Sequence, residues 1–210
     1  MFIDAWNYVL AHPALFARAL GVHIALSACA LMLAALISIP AGIAVARRSA
    51  LSLAVVNAAN VGRTLPSLAV LALVMPVLGI GFAPSLFALT LIAIPPIVTH
   101  TIVGMRGVDA DVDAAIGMGM TRAALLRQVQ LPLALPTIFA GLRTGAVQVI
   151  SGAVLAAFIG GGGLGDFITT GIAMMAIPQL LVGAIPVALL ALGTDFLFGA
   201  LQRRMTPAGL

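Results

Sequence analysis

The sequence predicts an all-α, polytopic membrane protein of about five transmembrane helices with a polar helical elbow on one side. Three observations lead there. Of its 210 residues, 62% are apolar and only 8% are charged, where soluble domains carry about 25% charged residues. Mean hydropathy is +1.22. The apolar residues fall in long runs separated by short arginine-bearing breaks. A water-facing globule of this length has no interior large enough for so much apolar surface, so lipid is the solvent.

A bilayer core about 30 Å thick needs about 20 apolar helical residues. The opening stretch, MFIDAWNYVLAHPALFARAL, lacks a basic leader and a small-residue cleavage pattern, so it does not read as a secretory signal. Trp6, Tyr8 and Phe16 suit a segment lying at headgroup level. The first span is then expected from Val22 to Ala46, ending at Arg47 and Arg48. The second runs from Leu51 to Gly79, interrupted by Arg63 and Pro66. Pro84–Met105, Leu133–Ile159 and Ile177–Leu201 complete the set. The whole chain, 1–210, reads as one transmembrane domain with its membrane region at about 20–201 and a polar loop at 106–132.

Five spans place the termini on opposite sides. Cytoplasmic loops hold the excess of basic residues. With the N-terminus outside and the C-terminus in the cytoplasm, Arg47, Arg48, Arg106, Arg122, Arg127, Arg203 and Arg204 are all internal, and only Arg18 is external. The reverse orientation inverts that ratio.

The longest polar stretch is VDADVDAAIGMGMTRAALLRQVQLPLALP. Asp109, Asp111 and Asp113 suit a helix N-terminus, where acidic side chains complement the dipole. Gly119 breaks the pattern. Thr121 can cap a second short helix, expected to end before Pro132. Ala114, Ile116, Leu125 and Leu126 are then available to an apolar surface.

Asp113, Ala114, Ala115, Gly119, Val129, Leu131 and Pro132 stand at the full spacing of the EAA loop, and the stretch resembles that loop of ABC importer permeases. Asp113 replaces the usual Glu and Val129 the usual Ile. The resemblance implies that the elbow sits in a groove of a separate ATPase subunit and passes its closure to the spans. NVGRTLPSLAVLALVMPVLGIG, FAPSLFALTLIAIPPIV and LPLALPTIFAGLRTGAVQVISGAVLAAFIGGGGLGDFITTGI look like segments of the osmoprotectant permeases, importers of glycine betaine, choline and carnitine. Arg63 stands where that family commonly has Gln. Methionine-type permeases share the five-span size and a similar glycine-rich segment. An importer of methionine or another amino acid is therefore the alternative, which TLPSLAVLAL disfavours.

Ionisable residues at membrane depth face a bundle interior or a wet cavity and are functional candidates. Arg63 or Arg143 is expected either to pair with Asp195 across the bundle or, like Asp195, to reach the cytoplasmic headgroups. Asn57, Asn60, Gln148 and Ser151 are further candidates for lining a route, with interhelical hydrogen bonding as the alternative reading. Gly141, Gly145 and Gly152 favour close packing of the fourth span. Cys29 reads as a packing residue.

Gly160, Gly161, Gly162, Gly163, Gly165 and Asp166 fall outside the membrane between the last two spans. Consecutive glycines permit turns closed to other residues. The resemblance places this segment at the outer gate, where a solute-binding protein docks; Asp166 contacts that protein or caps a short helix beginning at Phe167.

Other classes are excluded or left aside on residue grounds. His12, His23 and His100 lack metal-ligand spacing, so no metal site is expected. No basic face with aromatic platforms suggests nucleic acid. There is no GxxxxGK[ST] loop and no nucleophile–base arrangement. This chain is therefore expected to be non-catalytic and to bind no cofactor, with ATP and Mg held by two copies of a partner ATPase. The further partners implied are membrane lipid, a second copy of this permease or a related one, and an extracytoplasmic solute-binding protein. The location implied is the bacterial inner membrane. A secondary transporter would carry inverted repeats and midplane ion ligands, and a purely structural subunit would have no use for the elbow.

Overall fold

The computed structural model describes residues 1–205, apart from the side chains at 109–111 and 113. Every regular element among the described residues is helical. The chain opens with a ten-residue helix α1 (Phe2–Ala11), then α2 (Pro13–Ala46), α3 (Ser49–Thr64), α4 (Ser67–Leu78) and α5 (Phe82–Arg106). The elbow comprises α6 (Asp109–Gly117) and α7 (Arg122–Leu125). A π turn (Leu126–Gln130) leads into α8 (Leu131–Gly152), which tightens into a 3₁₀ segment (Ala153–Ile159). Helices α9 (Gly165–Ala173) and α10 (Ile177–Met205) follow. Four stretches are long and apolar enough to cross a membrane, and the α3–α4 pair makes a fifth if counted as one bent span. The expected all-α architecture of about five spans is observed.

Two spans differ from expectation. The first helix begins at Pro13 rather than Val22. The chain breaks at His12 (φ −130°, ψ 53°), and Pro13 then sits in the first turn, where a missing N–H costs nothing. Only α1 remains a separate surface segment. Its Tyr8 ring meets Phe167 of α9 edge-on at 6.1 Å, and Phe16 of α2 lies 6.4 Å from the same ring. The second span is two helices bent by 94°. Pro66 lacks an N–H and its ring disfavours helical geometry at the preceding residue. Leu65 accordingly sits at ψ 125°, and neither half reaches across alone.

Helix α5 is the centre. Over its most apolar window 56% of residues are buried, against 17% for α10. Lipid is as apolar as leucine, so helices associate in it by close approach of small side chains rather than by excluding water. Helix α2 offers such a stripe: Ala30, Ala34, Ser38, Gly42 and Ala46 recur every fourth residue and are all buried. Leu26, Ala30 and Ala34 pack on Leu89, Ala93 and Ile97 of α5, with Val149 of α8 and Ala153 and Ala156 beyond it closing the cluster. A Cβ on Gly42 would stand 2.7 Å from Thr101 Cγ2, and one on Gly104 3.0 Å from the Ala134 carbonyl.

Gly141 of α8 has the same role against α5. An added Cβ would lie 2.7 Å from His100 Cβ and 3.1 Å from the Pro96 carbonyl, both on a rigid helix. Gly141→Val should therefore destabilise the bundle by about 1–3 kcal/mol, the range for overpacking a filled interior. A lowered melting temperature in detergent checks this; an unchanged one contradicts the packing.

Candidate functional site

Three groups of residues carry chemistry, and each is built by a local peculiarity of the chain. The first is the elbow. Helix α6 ends at Gly117, and Gly119 turns the chain at φ +83°. The Gly119 and Met120 N–H groups donate to the Ile116 and Ala115 carbonyls at 2.9 and 3.2 Å. Thr121 caps α7 as expected, its Oγ1 accepting from the Ala124 N–H at 3.4 Å. The elbow has its own small core of Val108, Val112, Ala115 and Leu125.

That core corrects the expected docking surface. Leu125 is enclosed and not free for a partner and Leu126 is half-buried, while Ala114, Ile116 and Met118 are exposed. Ala115 faces inward and Ala114 outward. Asp113 lies in α6, but its side chain, like those of Asp109 and Asp111, is outside the described residues. Val129 and Leu131 are half-buried and Pro132 is exposed.

The second elbow helix does not end before Pro132. It continues, through α7, the π turn and α8, as one stretch from Arg122 to Ile159. In a regular helix the Pro132 ring would strike the carbonyl four residues back. The π turn widens the helix just before it: the Leu131 N–H donates five residues back, to the Leu126 carbonyl. Pro132 then falls in the first turn of α8, where proline is tolerated. Sequence reasoning also missed Arg106, whose Nε donates to the Ala46 carbonyl at 3.0 Å, tying the last residue of α5 to the last turn of α2 beside the elbow.

The second group lies in the membrane. Arg143 of α8 forks onto Asp195 of α10, Nε to Oδ1 at 2.6 Å and Nη2 to Oδ2 at 2.5 Å. The two side chains remain 39% and 37% exposed. Gly199, one turn beyond Asp195, makes room for the guanidinium: a Cβ there would stand 3.3 Å from Arg143 Nη1. The pair lines an open crevice of about 460 Å³ with Ala140, Thr144, Val147, Gln148 and Gln202. Thr144, Gln148 and Ser151 are exposed and four and three residues apart, so they form one polar stripe along α8. Thr144 completes a pattern that the spacing from Gln148 already held. Arg63 does not join this group; it is exposed at the end of α3, with Asn57 and Asn60 exposed on the same helix.

The third group is the glycine loop between the 3₁₀ segment and α9. Gly160, Gly162 and Gly163 have φ of +71°, +75° and +98°, values that favour glycine. Gly161 and Gly165 are present for a different reason, close approach. A side chain on Gly161 would collide with Ser85 Oγ, and one on Gly165 with the Val154 carbonyl. Gly163 rests on His23, whose Nε2–H donates to the Ile150 carbonyl at 3.1 Å. The loop is thus clamped onto α2, α5 and the far end of α8. With Leu15, Arg18, Ala19, Val22, Phe82 and Asp166 it lines an open cavity of about 400 Å³.

Helix α9 starts at Gly165, not Phe167, so Asp166 is no cap: it lies in the first turn and its side chain makes no cap bond. Partial burial raises its carboxyl above the usual range.

This architecture, a bundle of spans with a polar helical elbow fused to one of them, is that of a polytopic membrane subunit. The family model described as "Binding-protein-dependent transport system inner membrane component" matches residues 38–207, and the chain belongs to that family. Among its relatives, the choline transport system permease OpuBB of Bacillus subtilis (strain 168) is 40% identical over 189 residues, 90% of this chain and 87% of that one. The carnitine transport permease OpuCB of Listeria monocytogenes is 41% identical with the same coverages. The osmoprotectant import permease OsmY of Salmonella typhimurium (strain LT2) is 41% identical over 88% of this chain and 80% of its own. The fold is shared with an inward-facing MetNI methionine ABC transporter structure (TM-score 0.79, 21% identity, covering 93% of this chain and 99% of that one). An amino acid ABC transporter structure matches similarly (0.74, 20%, 97% and 98%). The resemblance read from the sequence is borne out.

Asp166 gives a pH test. A raised carboxyl pKa means the folded chain holds that proton more tightly than the unfolded one, so its contribution to stability is lost as pH rises through the raised value. Asp166→Asn should match the parent at acidic pH and equal or exceed its stability at neutral pH, measured by thermal unfolding in detergent. A variant less stable only at neutral pH would mean that the charged carboxylate has a stabilising partner.

Proposed function

We propose that this chain forms half of the translocation pathway of an ATP-driven importer for quaternary ammonium osmoprotectants such as glycine betaine, choline or carnitine. The observation that carries the reading is the continuity of the elbow with α8, which makes one lever of about 55 Å at 1.5 Å per residue. Relatives at 40% identity whose names specify choline and carnitine support the solute class over methionine; the solved methionine transporter, at 21% identity, supports the fold alone.

In this reading two copies of a separate ATPase hold ATP and Mg, and this chain binds no cofactor. The exposed Ala114, Ile116 and Met118 beside Gly119, with Asp113, enter a groove on that ATPase. The N-terminus is outside and the C-terminus cytoplasmic, following the arginines. A second copy, or a related permease, covers the polar stripe of Thr144, Gln148 and Ser151, since exposed polar groups facing lipid are expensive. Asn57, Asn60 and Arg63, exposed on α3 and apart from that stripe, are the further candidates for lining a route. The clamped glycine loop, with Asp166, is the outer gate against which an extracytoplasmic binding protein docks. ATPase closure pushes the elbow, the lever carries the push to the gate, and the spans switch the side they open to.

Radiolabelled uptake by the reconstituted complex tests the solute class. Betaine, choline and carnitine should compete with one another; competition by methionine alone would overturn it. Gly119 tests the elbow. No atom obstructs a side chain there, so Gly119→Val adds about 1–2 kcal/mol of left-handed backbone strain and little else. ATPase docking should weaken about five- to thirtyfold while the spans stay folded. Undiminished docking and uptake would remove the elbow from the mechanism.

A further inference from the structure

We propose that the Arg143–Asp195 pair is an exchange site for zwitterions, opened by a solute carrying a carboxylate and a fixed cation in one molecule. The inference rests on the importer reading above and names the solute charge pattern its pathway is built to pass.

Four observations converge. The pair is bidentate, with both Asp195 oxygens on the Arg143 guanidinium. Both residues lie within membrane-spanning helices. The side chains are not sealed, being 39% and 37% exposed into a crevice of about 460 Å³, within the about 300–1,000 Å³ of small-molecule sites. Finally, the other polar groups around it, Thr144, Gln148 and Gln202, are uncharged.

An ion pair at membrane depth resists separation because each bare charge would lack compensation. A single cation such as choline can satisfy Asp195 but leaves Arg143 bare. A zwitterion satisfies both. Its carboxylate takes the place of Asp195 on the planar guanidinium fork, a geometry Arg matches and Lys does not. Its quaternary ammonium, which has no N–H to donate, needs only the diffuse negative field of the released Asp195. Thr144, Gln148 and Gln202 supply neutral hydrogen-bonding groups at the edge. Because Arg143 masks Asp195 until a replacement carboxylate arrives, the site does not trap cations. Net charge is unchanged before, during and after exchange.

The test is the ratio of zwitterion to cation transport in the reconstituted complex with its ATPase and binding protein, since a ratio cancels any general loss of folding or coupling. Betaine, carnitine and methionine are the zwitterions and choline the cation. Arg143→Gln should lower the ratio by about tenfold or more, the equivalent of one hydrogen-bonded charge interaction. Asp195→Asn leaves a bare guanidinium that holds carboxylates, so zwitterion transport should slow while choline gains nothing. The double variant Arg143→Gln with Asp195→Asn keeps the shapes, removes both charges and should also lower the ratio.

If Arg143→Gln and the double variant fold and transport with an unchanged ratio, the pair is a structural clamp or a contact with the second copy, and the proposal is wrong. A parent complex that carries choline but no zwitterion overturns the site and leaves the osmoprotectant reading standing. A parent complex that carries methionine and no quaternary ammonium overturns that reading, and the site is then judged on methionine binding, which Arg143→Gln must weaken by the same factor.

Discussion

A helix that passes a proline without stopping is the constraint on which the rest of this molecule depends. The segment from Arg122 to Ile159 begins in the elbow, enters the membrane and ends at the glycine loop. Its continuity rests on one widened turn, in which the Leu131 N–H reaches back to Leu126 and Pro132 is left harmless at the start of α8. Without that turn the proline ring would strike the carbonyl four residues back and kink the rod where it leaves the elbow. With it, α7 of the elbow, Arg143 of the ion pair and the start of the glycine loop lie along one rod.

The rod is held by close contact rather than by bulk. Gly141 admits His100 and Gly145 admits Ile97, so α8 lies directly on the central helix α5. Helix α5 in turn meets the small-residue stripe of α2. At the elbow end Arg106 links α5 to the last carbonyl of α2. At the opposite end the Gly81 N–H donates to the Ile159 carbonyl at 2.7 Å, joining the far tip of the rod to the start of α5. Interiors of this density do not deform gradually; they move as bodies between discrete packings. In the proposed mechanism a displacement at the elbow is delivered in this way to the glycine loop.

Much of this was legible in the sequence. Hydropathy located the spans because lipid demands about 20 apolar residues each, and Gly119 with Thr121 located the elbow because both act on the local backbone. The intramembrane charges were identifiable as candidates, but their partner was not. Arg143 and Arg63 are equally plausible mates for Asp195 until the helices are placed, and only then does Arg63 prove to stand apart at the end of the bent α3. Close approach was likewise hidden. Gly161 and Gly165 looked like turn residues beside Gly160, Gly162 and Gly163, yet it is Ser85 and Val154, distant in sequence, that exclude a side chain there. The start of the first helix at Pro13 was missed because Trp6, Tyr8 and Phe16 suggested one headgroup-level segment, and the passage through Pro132 because that proline was read as a boundary, although a proline in the first turn of a helix is compatible with its continuing.

Pulsed electron–electron distance measurement tests the lever most directly. With Cys29 replaced, spin labels at Ala123 and Phe158 report the length of the rod, and labels at Ala123 in each of two copies report the approach of the elbows. The account predicts that trapping the complex with ATP brings the two elbows together while the Ala123–Phe158 distance stays as it was. Elbows that approach while Ala123–Phe158 changes would mean that the helix bends at the π turn, and the rigid connection between elbow and gate would be refuted.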